Sequence, residues 1–405
     1  MSGLRFCFPT TFYPPFSFGG DAVGIQRLAR ALVKRGHEVT VVHDIDAFHA
    51  VNHGDDPKPA SRDDGVKVIG IKSGMGVVSP LLTQQTGRPV ANASQLRSIL
   101  NDGKFDVINF HNASLIGGPG IFEYGGNATK IYMAHEHWLV CPTHVLWRYN
   151  RELCTGKRCV RCQLVYGRPP QAWRMTGLMD RELRHIQSFI AMSEFSRAKH
   201  REFGFPREME VVPYFLPDPA ADEPSDSLPP PHPRPYFLFV GRLEKIKGLE
   251  DVIPLFKTYR DADLLIAGDG NYEAHLRSLA EGNRRVTFLG RVTFERLRAY
   301  YQHALATIVP SVCYETFGIT LIESFRQRTP VIARRLGPFP EIVAQSGGGE
   351  LFETESELLD AMRKIQADDT HRQRLANNGY RASVDLWSES AVVPQYLEIV
   401  ERSRK

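Results

Sequence analysis

Apolar residues recur in the first half of the chain in two alternating patterns. Short β-branched or aromatic runs, LRFCFPT (4–10) and HEVTVVHD (37–44), flank the stretch GGDAVGIQRLARALVKRG, whose apolar residues fall at helical spacing. Five similar runs follow: VKVIGIK (66–72), FDVINF (105–110), KIYMAH (130–135), SFIAMS (188–193) and MEVVPY (209–214). This alternation predicts a parallel sheet covered by helices.

A proline-rich segment then interrupts the pattern. Nine prolines in residues 213–235 leave little room for a helix or a strand. A second series of strand-like runs follows: YFLFVG (236–241), DLLIAG (263–268), VTFLG (286–290), LATIVPS (305–311) and TPVIA (329–333). We therefore expect an α/β protein with two Rossmann-like, doubly wound domains facing each other across a cleft, with ligands at the carboxyl ends of the strands.

The expected boundaries follow from these patterns. Residues 1–215 form the first domain, 216–235 a linker, and 236–384 the second domain, while the segment 385–405 is helical. Composition agrees with two globular domains, because 42% of the 405 residues are apolar and 24% are charged. The formal net charge of +4 indicates no nucleic-acid partner.

Targeting signals and cysteine usage bear on the compartment. We find no apolar run long enough to span a membrane, and the N-terminal sequence lacks the pattern of a signal peptide. Six cysteines are too few for a disulfide scaffold in a chain of this length. We therefore expect a cytoplasmic protein.

The first candidate for chemistry follows the strand-like run YFLFV. The sequence GRLEKIKG (241–248) places Arg242 and Lys247 beside Gly241 and Gly248. Two cations at a strand end, with glycines that permit close backbone approach, suit a ligand with concentrated negative charge. Taken alone, the segment fits a solvated basic turn equally well.

The stretch CYETFGITLIE (313–323) decides between these alternatives. A helix that begins at Gly318 directs free N–H groups and the positive end of its dipole toward the strand ends, where a phosphate would bind. Glu323 lies one turn deeper and can accept hydrogen bonds from a vicinal diol, while Glu315 precedes the helix. Each glutamate alone fits a surface role. Together with Arg242 and Lys247 they indicate a nucleoside-diphosphate sugar.

At this point the chain resembles the retaining family 4 glycosyltransferases of GT-B fold over nearly its full length. The matching segments are YPPFSFGG (13–20), LARALVKRGHEVTVV (28–42), FDVINFH (105–111), MAHEHW (133–138), FIAMSEFSRAKHREFG (189–204), VGRLEKIKG (240–248), LIAGDG (265–270), VTFLG (286–290) and the pair of Glu315 and Glu323. The family more often has Asp where this chain has Glu136.

The resemblance implies a role for each site residue. Arg242 and Lys247 neutralise the diphosphate, Glu323 holds the ribose, and Glu315 contacts the transferred sugar. His135 lies beside the reacting carbon and forms a hydrogen bond to the sugar. The other donor-binding residues that we predict are Gly19, Gly20, Gly241, Gly268, Arg291, Phe317, Gly318, Ile319 and Thr320.

The implied reaction is transfer of a hexosyl group, with retention, from a nucleoside-diphosphate sugar to a sugar, lipid-linked or small-molecule acceptor. Fixed cations and amides would stabilise the leaving diphosphate, so no cofactor is required for catalysis. Two alternatives stay open: a GT-B nucleotide-sugar epimerase and a non-catalytic sugar-nucleotide or glycan-binding module. The triplets Asp44–Asp46 and Asp261–Asp263 could indicate a metal-dependent single-domain enzyme, although caps at strand ends or helix starts explain them better.

Residues 141–184 form an insert that is rich in cysteine and in basic residues. The spacing C-x12-C-x4-C-x2-C permits a structural zinc ion, with free thiols as the alternative. Its ligands would be Cys141, Cys154, Cys159 and Cys162. Nine basic residues of the insert alternate with Trp147, Tyr149, Tyr166 and Trp173, which predicts peripheral contact with an anionic membrane or a phosphorylated acceptor. By resemblance, the segment 385–405 crosses back to the first domain.

Overall fold

The computed structural model describes residues 3–52, 57, 62–219 and 228–405. The chain divides into two compact units. The first comprises Met1–Pro213 and Val392–Lys405, and the second comprises Tyr214–Ala391. Residues 220–227, which belong to the predicted linker, lie outside the described residues.

The first unit is built on parallel strands with helices between them. Its strands are β1 (Arg5–Thr10), β2 (Glu38–Asp44), β3 (Arg62–Asp63), β4 (Val66–Ile71), β5 (Val107–Phe110), β6 (Thr129–Ala134), β7 (Trp147–Arg148), β8 (Glu152–Leu153), β9 (Ser188–Ala191) and β10 (Glu210–Val211). Its helices before the second unit are α1 (Gly20–Lys34), α2 (Ile45–Val51), α3 (Val78–Thr86), α4 (Ala93–Asp102), α5 (Cys159–Val165), α6 (Leu178–Leu183) and α7 (Glu194–Glu202).

Eight of these strands form one sheet in the order β10-β9-β6-β5-β1-β2-β4-β3. All of its pairings are parallel except that of β3 with β4, and β7 pairs separately with β8. The chain winds outward from β1 in one direction and from β5 in the other, so the order reverses between these two neighbours. Such a reversal opens a crevice at the carboxyl ends of the strands, where α/β proteins bind ligands.

The sheet is buried because helices cover it. Strand β5 is buried along its whole length, and on α1 the apolar residues Ile25, Leu28 and Leu32 face inward with exposures of 0%, 4% and 0%. Burial on both faces explains why the strands appear in the sequence as nearly continuous apolar runs. All seven runs that predicted strands in this half contain strands.

The second unit repeats this architecture. Its strands are β11 (Tyr236–Val240), β12 (Asp263–Ala267), β13 (Val286–Gly290), β14 (Thr307–Val309), β15 (Val331–Arg334) and β16 (Gly349–Phe352). Its helices are α8 (Leu249–Val252), α9 (Glu273–Leu279), α10 (Phe294–His303), α11 (Ile319–Arg326), α12 (Phe339–Ser346), α13 (Glu355–Ala367) and α14 (Asp369–Asp385). The sheet order is β13-β12-β11-β14-β15-β16, with every pairing parallel. Here the order reverses between β11 and β14.

The chain ends in helix α15 (Glu389–Ser403), of which the part from Val392 onward belongs to the first unit. Asn109 on β5 donates a hydrogen bond to the buried Tyr396 hydroxyl over 3.0 Å. The hydroxyls of Ser188 and Ser403 lie 2.7 Å apart. The final helix begins at Glu389 rather than at the expected Asp385, which is the last residue of α14. The buried Trp387 lies in the chain between α14 and α15, and its ring stacks on that of Phe325.

Candidate functional site

The predicted donor residues of the second unit follow strands β11, β12 and β14, which are neighbours in the sheet. Gly241 and Arg242 come directly after β11, and Gly268 directly after β12. The loop that carries Glu315 and Gly318 follows β14. Since β11 and β14 flank the reversal of the sheet, the fold gathers these residues where a doubly wound domain binds its ligand.

Two glycines let the loops of this site approach one another closely. A β-carbon added at Gly268, which has a φ of 137°, would lie 1.9 Å from the carbonyl oxygen of Gly241. A β-carbon at Gly248, with a φ of 73°, would lie 2.1 Å from the carbonyl oxygen of Pro310. A larger residue at either position would collide with backbone, so the glycines are required for the contact between loops.

Lys247 and Glu315, separated by 68 residues in the chain, form an ion pair. Lys247 Nζ donates to Glu315 Oε1 over 2.7 Å, and the hydroxyl of Ser311 donates to the same oxygen over 3.0 Å. The two side chains are 23% and 24% exposed, so the pair is largely shielded but reachable by a ligand. The loop before α11 is thereby tied to the turn after β11.

The pair keeps both groups ionised. Burial opposes the charge on each side chain, but the partner outweighs it. Glu315 raises the pKa of Lys247 above its ordinary value, and Lys247, helped by the Ser311 hydroxyl, lowers the pKa of Glu315 below its ordinary value. At neutral pH the site therefore presents a fixed ammonium group and a fixed carboxylate, both of which can form charge-assisted hydrogen bonds.

Helix α11 begins at Ile319, with Gly318 at its N-cap. A glycine at the N-cap has no side chain that could accept from the first N–H groups, and Thr320 lies within the first turn. A buried hydrogen bond of 2.8 Å between the hydroxyls of Thr307 on β14 and Ser324 on α11 holds the helix against the sheet. A helix N-terminus held in this way favours negative charge through its N–H groups and its dipole. Glu323 lies half-buried on the same helix.

The remaining predicted donor residues of this unit differ in their surroundings. Phe317 is buried and packs against the rings of Tyr214 and Trp387, with centroid distances of 5.8 and 6.4 Å. Arg242 forms a 3.0 Å ion pair with Glu244 and is half exposed. Arg291 lies on the surface, paired with Asp269 over 2.9 Å, and 78% of its side chain is exposed.

In the first unit the predicted residues gather at the other reversal of chain order. Gly19 is the N-cap of α1 with a φ of 79°, and Gly20 is the first helical residue. Their loop follows β1 and is held to the loop after β5, because Thr11 N donates to the carbonyl of Asn112 over 2.8 Å. Asp21 in the first turn of α1 accepts a hydrogen bond from the Asn112 side chain.

His135 follows β6 in the same unit and is buried against a second histidine. Its Nε2 lies 2.8 Å from Nδ1 of His111, which follows β5. Burial lowers the pKa of His135 to about 3, and burial together with the neighbouring ring lowers the pKa of His111 well below its usual value. Both rings are therefore neutral at physiological pH, and one donates to the other. A neutral imidazole suits hydrogen bonding better than proton abstraction.

Asp44, Asp46 and Asp263 of the two aspartate triplets form side-chain contacts within the protein. Asp44 is the N-cap of α2 and accepts from Ala47 N over 3.1 Å. Asp46 accepts from the backbone and the hydroxyl of Ser73, each over 2.7 Å. Asp263 begins β12 and pairs with His232 over 2.8 Å and with Arg234 over 3.2 Å. These contacts give the carboxylates of Asp44, Asp46 and Asp263 structural partners within the protein.

Together with Pro142 and Thr143, the four cysteines of the insert line a single pocket. All are free thiols, and the backbone N–H of Tyr149 donates to Cys162 Sγ over 3.4 Å. Over residues 3–52, 57, 62–219 and 228–405, no three His, Cys, Asp or Glu side chains are arranged closely enough to hold a metal ion. Zinc binding would therefore require the sulfurs to draw together, and it stays a prediction.

The sequence analysis did not identify two residues that form hydrogen bonds to the predicted site residues. Ser311 supports Glu315, and its signal was a hydroxyl two residues after β14 and four residues before the carboxylate. His111 supports His135, and its signal was a polar residue directly after the buried run FDVINF. In both cases the strand end marked the position, because side chains there reach the crevice at the reversal of the sheet.

Two family models match consecutive parts of the chain. Glycosyltransferase Family 4 matches residues 18–217, and Glycosyl transferases group 1 matches residues 221–382. The chain belongs to the group 1 glycosyltransferases. This glycosyltransferase is 25% identical to a phosphatidyl-myo-inositol mannosyltransferase of Mycobacterium leprae, over 96% of this chain and 95% of that protein.

Solved structures place this glycosyltransferase in the GT-B fold. Sucrose-phosphate synthase from Thermosynechococcus elongatus matches with a TM-score of 0.73 and 19% identity, covering 98% of each chain. HepE of Anabaena, in complex with UDP-glucose, matches with a TM-score of 0.68 and 14% identity, covering 98% of this chain and all of that one. The predicted family and fold are therefore confirmed.

Proposed function

We propose that this glycosyltransferase moves a hexosyl group, with retention of configuration, from a nucleoside-diphosphate sugar to a sugar, lipid-linked or small-molecule acceptor. The observation that carries the proposal is the ion pair of Lys247 and Glu315 beside the N-terminus of α11. A cation, a carboxylate and the first N–H groups of α11 at one reversal of the sheet match the diphosphate and the hydroxyls of such a donor. HepE, which shares the fold, was crystallised with UDP-glucose.

The chemistry follows from where charge develops. As the sugar departs, negative charge builds on the leaving diphosphate, and groups that are already fixed in place stabilise it without reorganisation. Lys247 is held by Glu315, and α11 is held by the hydroxyl pair of Thr307 and Ser324. Arg242, which is half exposed, can leave Glu244 for the diphosphate. We propose that these groups act without a catalytic metal ion.

The residues of the first unit have a separate part in the proposal. The neutral His135 would form a hydrogen bond to the sugar, and Gly19 and Gly20 would admit a phosphate close to the backbone. Glu323 would accept hydrogen bonds from the ribose. The six free thiols are consistent with a cytoplasmic protein. Among the described residues, none of the helices combines the length and apolar character that crossing a bilayer needs.

The experiment begins with a thermal-shift screen of nucleoside-diphosphate sugars. A donor at about 100 times its dissociation constant should stabilise the protein by about 2.7 kcal/mol. The selected donor is then incubated with candidate acceptors in the presence of EDTA, and release of nucleoside diphosphate is measured. Release that requires an acceptor and persists with EDTA supports a metal-independent transferase. Isomerisation of the donor without an acceptor, or binding without turnover, would replace the proposal with an epimerase or a binding module.

A further inference from the structure

Large apolar side chains are exposed mainly in one part of the first unit. Of the twelve with high exposure among the described residues, nine lie in two segments, residues 75–90 and 160–175. We call these nine the apolar face. Its members are Met75, Val77, Val78, Leu81, Val90, Val160, Leu164, Val165 and Met175. Single exposed apolar residues are ordinary, but a concentration of this kind marks an interaction surface.

The two segments are packed together, so the nine side chains belong to one region of the surface. Trp173 Nε1 donates to the carbonyl of Gln84 on α3 over 2.8 Å. The backbone N–H of Gln171 donates to the Gln163 side chain on α5 over 3.0 Å. Residues 171–175 thus join α3 on one side to α5 on the other. A β-carbon at Gly87, where α3 ends, would lie 2.8 Å from the Trp173 ring, so this packing is close.

Helix α5 presents its apolar side outward. Cys162 and Gln163 are buried, while Val160, Leu164 and Val165 are 47%, 59% and 52% exposed. Arg161 accompanies them on the exposed side. A helix in a water-soluble surface normally has the opposite arrangement. Apolar and basic residues together on the outward side are typical of helices that lie in the interface of a membrane.

The charges around the apolar face indicate which class of partner it can bind. No Asp or Glu occurs at 72–101 or at 157–179, whereas the second of these segments contains five basic residues. Four of the five are exposed: Lys157, Arg158, Arg161 and Arg168. A second copy of the chain, joined through the same face, would bring like charges together, which is unfavourable. An anionic surface complements the face.

Two of the four aromatic residues that alternate with the basic residues of the insert are buried. Trp147 and Trp173 are only 7% and 6% exposed, so they do not belong to the apolar face. Trp173 packs on the partly buried Arg174, whose guanidinium lies 4.6 Å from its ring centroid. These side chains pack in the interior of the insert rather than on its surface. The exposed apolar residues are aliphatic, and they were not part of the sequence-based argument.

We propose that the apolar face binds the surface of an anionic membrane. Its aliphatic side chains would lie at the level of the headgroups, and the exposed basic residues of the segment 157–179 would contact lipid phosphates. This inference is independent of the proposed donor chemistry. It predicts that the full-length protein sediments with vesicles of phosphatidylcholine and phosphatidylglycerol, and much less with phosphatidylcholine alone. Raising the salt concentration to about 1 M should weaken binding, since charges are then screened beyond about 3 Å.

Variants test the residues directly. Leu164→Gln with Met175→Gln should lower partition into anionic vesicles roughly tenfold, whereas Leu386→Gln, at an exposed leucine of the second unit, should leave it unchanged. Arg161→Gln should lower partition roughly fivefold, with Arg207→Gln as its exposed control. Thermal denaturation checks that each variant is folded.

Three outcomes would overturn the proposal. The first is no sedimentation of wild-type protein with anionic vesicles. The second is sedimentation that is insensitive to anionic lipid and to both test variants. The third is a dimer, detected by analytical ultracentrifugation, that the Leu164 and Met175 substitutions dissociate, because the face would then bind a second copy of the chain. The assay needs no donor, so loss of the proposed transferase activity would not affect its interpretation.

Discussion

Replacing Lys247 by alanine tests whether the proposed donor site loses its activity while the protein keeps its stability. In the structure, Lys247 Nζ lies 2.7 Å from Glu315 Oε1, and both side chains are about a quarter exposed. The carboxylate keeps a second donor, Ser311, at 3.0 Å. The substitution therefore leaves Glu315 partly satisfied, and we expect the free energy of unfolding to fall by only about 1 kcal/mol.

The effect on turnover should be much larger. If Lys247 stabilises the departing diphosphate, its loss removes a fixed cation from the transition state. Removal of one preorganised donor typically costs about 3 kcal/mol, or about 100-fold to 1,000-fold in kcat. Glu315→Gln should also lower activity, because the lysine would lose the partner that positions it and keeps its pKa raised.

The assay compares nucleoside-diphosphate release and urea denaturation for wild type, Lys247→Ala and Lys245→Ala. Lys245 is exposed and lies two residues away in the same short 3-10 helix, Lys245–Lys247, so its removal matches the change in charge without touching Glu315. Turnover of Lys247→Ala within about threefold of wild type would refute the assignment. A loss of activity that tracks an equal loss of stability would indicate a structural ion pair.

Three further predictions follow from other contacts. Gly268→Ala should destabilise the second unit by about 2 kcal/mol and weaken nucleotide binding, since its β-carbon would lie 1.9 Å from the Gly241 carbonyl; a thermal shift within error of wild type contradicts this. Stability should fall as the pH drops from about 6.5 toward 4. His43, His135 and His200, with pKa values lowered by burial to about 4, about 3 and about 4, bind protons in the unfolded chain before the folded one. Burial raises the pKa of Asp44 to about 7, which acts in the opposite direction and offsets one histidine; urea midpoints equal at pH 7 and pH 5 would contradict the net effect. If the insert binds zinc through Cys159 and its three partner cysteines, anaerobically purified protein should contain about one zinc per chain, and a Cys159→Ser variant should lose it; metal-free wild type contradicts the prediction.

The strands were predictable because a strand that is buried on both faces appears in the sequence as a nearly continuous apolar run. The two large sheets are parallel apart from the pairing of β3 with β4, so runs such as YFLFV must be apolar on both faces, and each predicted run contains a strand. The missed strands are short or partly exposed. β16, GELF, has one fully buried residue in four, while β3, β7 and β8 contain two residues each. Such segments carry little periodicity to detect.

The sequence was sufficient to predict which residues belong to the candidate site, but not which of their side chains pair with one another. Glycines and charged residues in the segments that follow apolar runs indicated Gly241, Lys247 and Glu315. That Lys247 pairs with Glu315 depends on which strands are neighbours, since 68 residues separate them. The same holds for His111 and His135, which follow the adjacent strands β5 and β6. Sheet order is a property of the whole domain, and a local pattern does not contain it.

The central claim is that this glycosyltransferase meets the charge of the leaving diphosphate with groups of its second unit. A crystal structure of the full chain with UDP or GDP, whichever the thermal-shift screen selects, tests it most directly. We predict diphosphate oxygens within about 3 Å of Lys247 Nζ and of the backbone N–H groups where α11 begins. A diphosphate bound away from Arg242, Lys247 and the turn at Gly318 would contradict the account.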